Sequence, residues 1–244
     1  MIGILDSGVG GLNSCYELRR LMPREDIIYL ADSKNAPYGT KAKEELITLV
    51  GKNIRLLKGR GAESVLIACC TASSIYPYLS KEERDISIPI IEPAAKAAAR
   101  HTRIAVIATD YTVASHAFKT AIQRINPSCE VTEIGAQILV SLVELGARDR
   151  ELFPREATLL GRLTERIKSI DAECLVLGCT HFSHLEAELS LRLPGVELVS
   201  PARLGARHAR EVLGKTRSRA QDGGRGKTKS DESNIGSGRC FFIA

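Results

Sequence analysis

The chain has 244 residues, 44% of them hydrophobic and 26% charged, a globular composition long enough for one large domain or two modest ones. No apolar run approaches the roughly 18 residues that a membrane span needs, so a membrane partner is not expected. The formal charge of +5 would suggest nucleic acid if it lay on the folded body, but seven of the basic residues, against three acidic ones, fall between Lys215 and Ala244; the body is almost neutral and no nucleic-acid partner is expected.

In chain order, the first strand is expected at Ile2–Asp6, directly after Met1 and with no signal-like segment ahead of it, which points to a cytoplasmic protein. Further strands are expected at Asp26–Asp32, Ser64–Cys70, Pro89–Glu92, Arg103–Thr109, Glu130–Ala136, Cys174–Cys179 and Val196–Ser200. Helical periodicity falls between them, near Gly11–Leu21, Lys43–Lys58, Pro93–His101, Thr112–Ile125, Gln137–Leu145, Glu156–Ser169, His181–Leu191 and Ala202–Leu213. Strands alternating with helices predict an α/β fold with mostly parallel sheets.

Two stretches look like versions of one another. Ser64–Ser73 reads SVLIACCTAS and Cys174–Ser183 reads CLVLGCTHFS, each an apolar strand running into Cys and then Thr at a helix start. Each follows another strand that opens a half, from Ile2 and from Ile104. Two similar, pseudo-symmetric α/β halves facing one another are therefore expected. Residues 1–92 form the first, with 201–213 returning to it, and 93–200 form the second. Residues 214–244 are read as a basic flexible linker, dispensable for the core, that ends in a candidate last strand at Arg239–Ala244.

Ligands of open α/β sheets bind beyond the carboxyl ends of the strands, where Asp6, Cys69 and Cys179 are all expected. A thiol there gains from unpaired N–H groups at the start of the next helix, and the same groups can hold a carboxylate. Seven cysteines, at 15, 69, 70, 129, 174, 179 and 240, with no C-x-x-C pair, suit free thiols. Cys15, Cys129 and Cys174 are read as core filling.

Cofactor motifs fail on spacing. After Gly8 and Gly10 the third glycine of a dinucleotide fingerprint would fall at Asn13, and the first glycine of a phosphate loop ending at Gly226-Lys227-Thr228 would fall at Gln221. Cys179, His181 and His184 lack a second pair of finger-like spacing, so no metal is expected.

DSGVGGL at Asp6–Leu12, Asp32 with PYGT ending at Thr40, ACCTAS at Ala68–Ser73, IEP at Ile91–Pro93, VELG at Val143–Gly146 and LGCTHF at Leu177–Phe182 jointly resemble the glutamate racemase family of the aspartate/glutamate racemase superfamily. The resemblance implies a cofactor-independent racemase holding an acidic amino acid between two α/β domains, with D-glutamate as a peptidoglycan precursor. It implies that Cys69 acts on the D-enantiomer and Cys179 on the L-enantiomer, that Asp6 and His181 assist as acid/base groups, and that Glu144 is a further carboxylate near the site. Ser7, Pro37, Tyr38, Gly39, Thr71 and Thr180 match positions that contact substrate. Cys70 takes the position where the family usually has an Asn whose amide helps bind substrate. The expected partner is thus glutamate itself, and a homodimer is the assembly entertained.

Two rivals stand beside this reading: an aspartate racemase-like isomerase, against which His181 argues, and a non-catalytic relative that binds an acidic ligand. A redox protein using Cys69 and Cys70 is weaker, because disulfides between neighbours are strained.

Overall fold

The computed structural model describes residues 1–146, 153–223 and 238–244. Among the described residues nine strands form two sheets, all of whose pairings are parallel. The first sheet holds β1 (Ile2–Asp6), β2 (Ile27–Ala31), β3 (Ser64–Ile67), β4 (Ser87–Pro89) and β9 (Cys240–Ile243), in the order β4-β3-β1-β2-β9. The second holds β5 (Arg103–Ala108), β6 (Glu130–Gly135), β7 (Cys174–Gly178) and β8 (Glu197–Val199), in the order β6-β5-β7-β8. Read from the other edge, the second order is β8-β7-β5-β6, the first four strands of the other sheet repeated. The fold is α/β in two similar halves.

Central strands covered on both faces by helices read as continuous apolar runs rather than alternating ones, and IGILD, IAVIA and CLVLG are such runs. Their alternation reappears in what each face touches. Ile4 and Leu66 of the first sheet share one core cluster with Val106 and Val176 of the second. Leu5, Val65 and Ile67 pack in a separate cluster on the far side of the first sheet, and Ala105, Ile107, Leu175 and Leu177 in another on the far side of the second. Between the halves, the helix Pro201–Gly223 lies against Leu12–Leu21 and Ile91–Ala98, bringing the small residues Ala206, Ala209, Ala94 and Ala98 into the shared cluster.

Several boundaries differ from expectation. The strand expected at Pro89–Glu92 lies earlier, at Ser87–Pro89, and Ile91 already begins a helix. Pro93 in its first turn lacks an N–H that would have no helical partner anyway. The helix expected over Thr112–Ile125 is two, Asp110–Ala114 and Ala117–Ile125, separated by His116 at φ 50°. A helix at Lys81–Asp85 was not foreseen, although Ser80 and Glu83 spell the capping box that starts it.

The tail also differs. The helix beginning at Pro201 continues through Gly214 to Gly223, into the expected linker; residues 224–237 lie outside the described residues. Beyond them β9 docks on β2, pairing Ile27 with Cys240 and Leu30 with Ile243. Ile27 N donates to Arg239 O at 2.8 Å, the Arg239 and Asp26 side chains meet at 3.2 Å, and the rings of Tyr29 and Phe242 lie 5.8 Å apart. The terminal segment is therefore part of the sheet. Deleting residues 238–244 should cost about 2 kcal/mol of ladder bonds and ring contact, lowering the melting temperature by about 4–8 °C; differential scanning fluorimetry reads the shift directly.

Candidate active site

The strand registers say which residues of the two halves correspond. β1 pairs Ile2 with Ile27 and Ser64, and β5 pairs Ile104 with Val131 and Cys174. Counting along from Ser64 and Cys174 equates Cys69 with Cys179, and counting from Ile2 and Ile104 equates Ser7 with Thr109. Both thiols sit just past their strand, at the cap of a following helical turn. They are buried, and both line one pocket between the halves.

The lining contains Ser7, Pro37, Tyr38, Gly39, Cys69, Cys70, Thr71, Cys179, Thr180 and His181, all singled out from sequence. Asp6 stands behind it, fully buried, with Gly8 N donating to its Oδ1 at 2.8 Å and Thr180 Oγ1 to its Oδ2 at 3.3 Å. Glu144 falls on the helix Gln137–Gly146, and its side chain lies outside the described set. Among the described residues no group of three His, Cys, Asp or Glu is arranged to hold a metal ion.

Three further residues complete the wall: Thr109, Gln137 and Val140. Thr109 was legible as the partner of Ser7 once the halves are aligned by register. Its hydroxyl lies 3.0 Å from Thr71 Oγ1 and 2.8 Å from Thr112 Oγ1, so three threonines bridge the halves beside the pocket. Gln137 carried no sequence signal. Its Oε1 is buried, and among the described residues no donor reaches it.

The fit between the halves depends on glycine. A Cβ on Gly10 would lie 2.5 Å from Thr180 Oγ1 and 2.9 Å from His181 Nδ1; one on Gly39 would strike Gln137 Oε1 and lie 2.7 Å from Thr109 Cβ. Loops of the first half thus touch side chains of the second with no room for a methyl group. Tyr29 anchors the first of these loops by donating to Gly8 O at 2.8 Å. Tyr38 is anchored in turn, its hydroxyl donating to Asp32 Oδ2 at 2.6 Å.

Each thiol has its own polar neighbour. Cys69 Sγ donates to Ser7 Oγ at 3.6 Å, and Cys179 Sγ lies 3.5 Å from His181 Nδ1. Burial, then the nearby Asp6 charge, pushes the Cys69 thiol up to about 11, against the pull of the Ala72 and Ser7 contacts. Burial holds Cys70 far above the ordinary thiol range, with the Cys179 and Cys69 thiols adding to it. Asp6 is itself raised above 3.8 by burial, opposed by the Gly8 N–H and by His181.

An acid whose folded pKa is raised binds more protons folded than unfolded, so its contribution to stability falls as pH rises above 3.8 through the folded value. Asp6→Asn should therefore flatten the decline in melting temperature across that window and raise stability at neutral pH. The same substitution removes a Coulombic cause of the raised Cys69 pKa. Alkylation of Cys69 by iodoacetamide, followed by peptide mass against pH, should show a midpoint near 11 in the native chain and a lower one in Asp6→Asn; an unchanged midpoint would refute the coupling.

The Asp/Glu/Hydantoin racemase family model matches residues 16–209. The glutamate racemase of Microcystis aeruginosa is 37% identical over 216 residues, 87% of this chain and 75% of that protein. That of Limosilactobacillus reuteri is 35% identical over 216 residues, 87% of this chain and 80% of that protein. The solved glutamate racemase of Francisella tularensis, in complex with D-glutamate, matches with a TM-score of 0.82 at 26% identity, covering 99% of this chain and 86% of that one. With its duplicated strand order and paired strand-end thiols, the chain belongs to the Asp/Glu/hydantoin racemase family, and within it to the glutamate racemases.

Proposed function

We propose that this chain interconverts L- and D-glutamate by two-base proton transfer at Cα, with Cys179 removing the proton from the L-enantiomer and Cys69 from the D-enantiomer. The observation that carries the reading is the placement of two thiols at equivalent strand ends of the two halves, lining one pocket. Inverting a tetrahedral carbon needs a base on one face and an acid on the other, and a group from each half supplies both without moving the substrate. One sulfur starts as thiolate and the other as thiol, and each turnover exchanges the two states. Within the cell, D-glutamate made this way would serve peptidoglycan synthesis, and the expected location is cytoplasmic.

With its pKa near 11, Cys69 carries a thiolate in only about one molecule in ten thousand at neutral pH. The α-ammonium of bound glutamate favours a nearby thiolate while the hydroxyls and N–H groups of the pocket offset its two carboxylates, so the base is made when the substrate arrives. Gln137 Oε1, buried without a donor among the described residues, faces a ligand whose only hydrogen-bond donor is that ammonium. Thr71, Thr109 and Ser7 offer hydroxyls to the carboxylates, while the Thr180 hydroxyl at the pocket wall is committed to Asp6. Asp6 serves as the acid/base group beside Cys69, and His181 beside Cys179.

Incubation with L-glutamate in deuterated water, followed by chiral separation, should give D-glutamate carrying one deuterium at Cα. Cys→Ser at 69 or at 179 should abolish racemisation, since a hydroxyl is far too weak a base. On substrate analogues with a β leaving group, Cys69→Ser should still eliminate from the L-form and Cys179→Ser from the D-form. If both variants process the same enantiomer, the two-face assignment is wrong.

Cys70 has a different expected role. It lines the pocket and is held neutral by burial, so Cys70→Ser should retain racemisation. Cys70→Asn adds an amide of similar volume, and one hydrogen bond to a charged substrate is worth about 1.5–3 kcal/mol. Steady-state kinetics should show KM falling about tenfold or more with kcat little changed.

A further inference from the structure

Two cysteines outside the pocket lie against each other although 225 positions separate them: Cys15 Sγ and Cys240 Sγ are 4.0 Å apart. Cys15 sits in the first turns of the helix Leu12–Leu21 and is buried; Cys240 opens β9 and is exposed. Strand pairing holds Cys240 in place, with Ile27 opposite it. The residue before it is fixed twice more, by Arg239 N donating to Asp26 Oδ1 at 2.7 Å and by the ion pair between their side chains. Sulfurs 4.0 Å apart stand about 2 Å from the length of a disulfide bond.

We propose that Cys240 is a thiol-modification site that takes low-molecular-weight disulfides and resolves onto Cys15 as an intramolecular disulfide. The order of events follows from exposure. The Cys240 thiolate attacks one sulfur of the small disulfide, forming a mixed disulfide and releasing one small thiol. Cys15 then attacks Cys240 Sγ, forming the Cys15–Cys240 bond and releasing the second small thiol. The two protein thiols lose two electrons and two protons, and the small disulfide takes up both as two thiols. Burial and the neighbouring Cys240 push the Cys15 thiol up to about 12, which makes it a poor first target; the mixed disulfide at Cys240 removes the Cys240 contribution, and Cys15 then attacks a sulfur already held beside it. The product ties the terminal strand to the first helix, so the edge of the first sheet is closed covalently.

The full chain is incubated with glutathione disulfide, quenched with acid and digested with trypsin without reduction. Cleavage after Arg19 and Arg239 isolates Met1–Arg19 and Cys240–Ala244. The expected product is these two peptides joined, two hydrogens lighter than their sum and separated again by dithiothreitol. Cys15→Ser should stop at the glutathione adduct of Cys240, and Cys240→Ser should yield neither adduct nor link at these positions. The proposal is overturned if the native chain stops at the Cys240 adduct, if Cys240 links to another thiol or to a second chain, or if Cys240 does not react.

Discussion

Asp6 is a carboxylate held out of water where the two halves meet, and much of the site follows from what that costs. An ionised carboxyl away from solvent is tolerated only with donors arranged around it. Here they come from both halves: the Gly8 N–H from its own loop and the Thr180 hydroxyl from across the pocket, with the His181 charge acting in the same direction. Fitting those donors closely leaves no space for a Cβ at Gly10 or Gly11, the latter lying 2.7 Å from Asp6 Cβ if one is built there. Packing around a charge thus accounts for Gly10 and Gly11 of the loop after β1.

The halves share strand order and thiol position but not what surrounds the thiols. Register equates Asp6 with Ala108, Ser7 with Thr109 and Cys70 with Thr180. Among the described side chains, a carboxylate accompanies the first-half thiol and the imidazole of His181 accompanies the second. On the proposed chemistry this asymmetry suits the reaction. Two carboxylates facing an anionic substrate would repel it and each other, whereas one carboxylate and one imidazole give each thiol a proton partner without doubling the negative charge.

The strands and the thiol pair were legible because their signals are local: buried parallel strands spell apolar runs, and SVLIACC and CLVLGC repeat one pattern. Local pattern also misled. IEP at Ile91 reads as the end of an apolar strand, yet Ile91 and Glu92 are the first turn of a helix that tolerates Pro93. The tail from Gly214 reads as linker because it is polar, while a polar helix and a strand on the sheet edge account for its described parts. What stayed hidden depends on approach between distant segments. Gln137 is an ordinary helix-start residue until Gly39 brings the other half against it, and Cys15 reads as core filling until strand pairing places Cys240 at its side.

Burial gives the cysteines different chemistry through one physical term. Cys15, Cys70 and Cys174 are all held above the ordinary thiol range by desolvation, and so is Cys69. For Cys174, inside β7, nothing charged arrives to reverse that, and the thiol behaves as a small apolar side chain. For Cys69 the walls that exclude water also line the place a substrate ammonium would occupy. A low-dielectric pocket strengthens whatever charge enters it, so on the proposed chemistry the substrate ammonium, its carboxylates offset by hydroxyls and N–H groups, counters the desolvation that suppresses the thiolate. On that chemistry reactivity is tied to occupancy: a thiol kept neutral resists alkylation and oxidation between turnovers, and it serves as a base while the bound ammonium lies beside it.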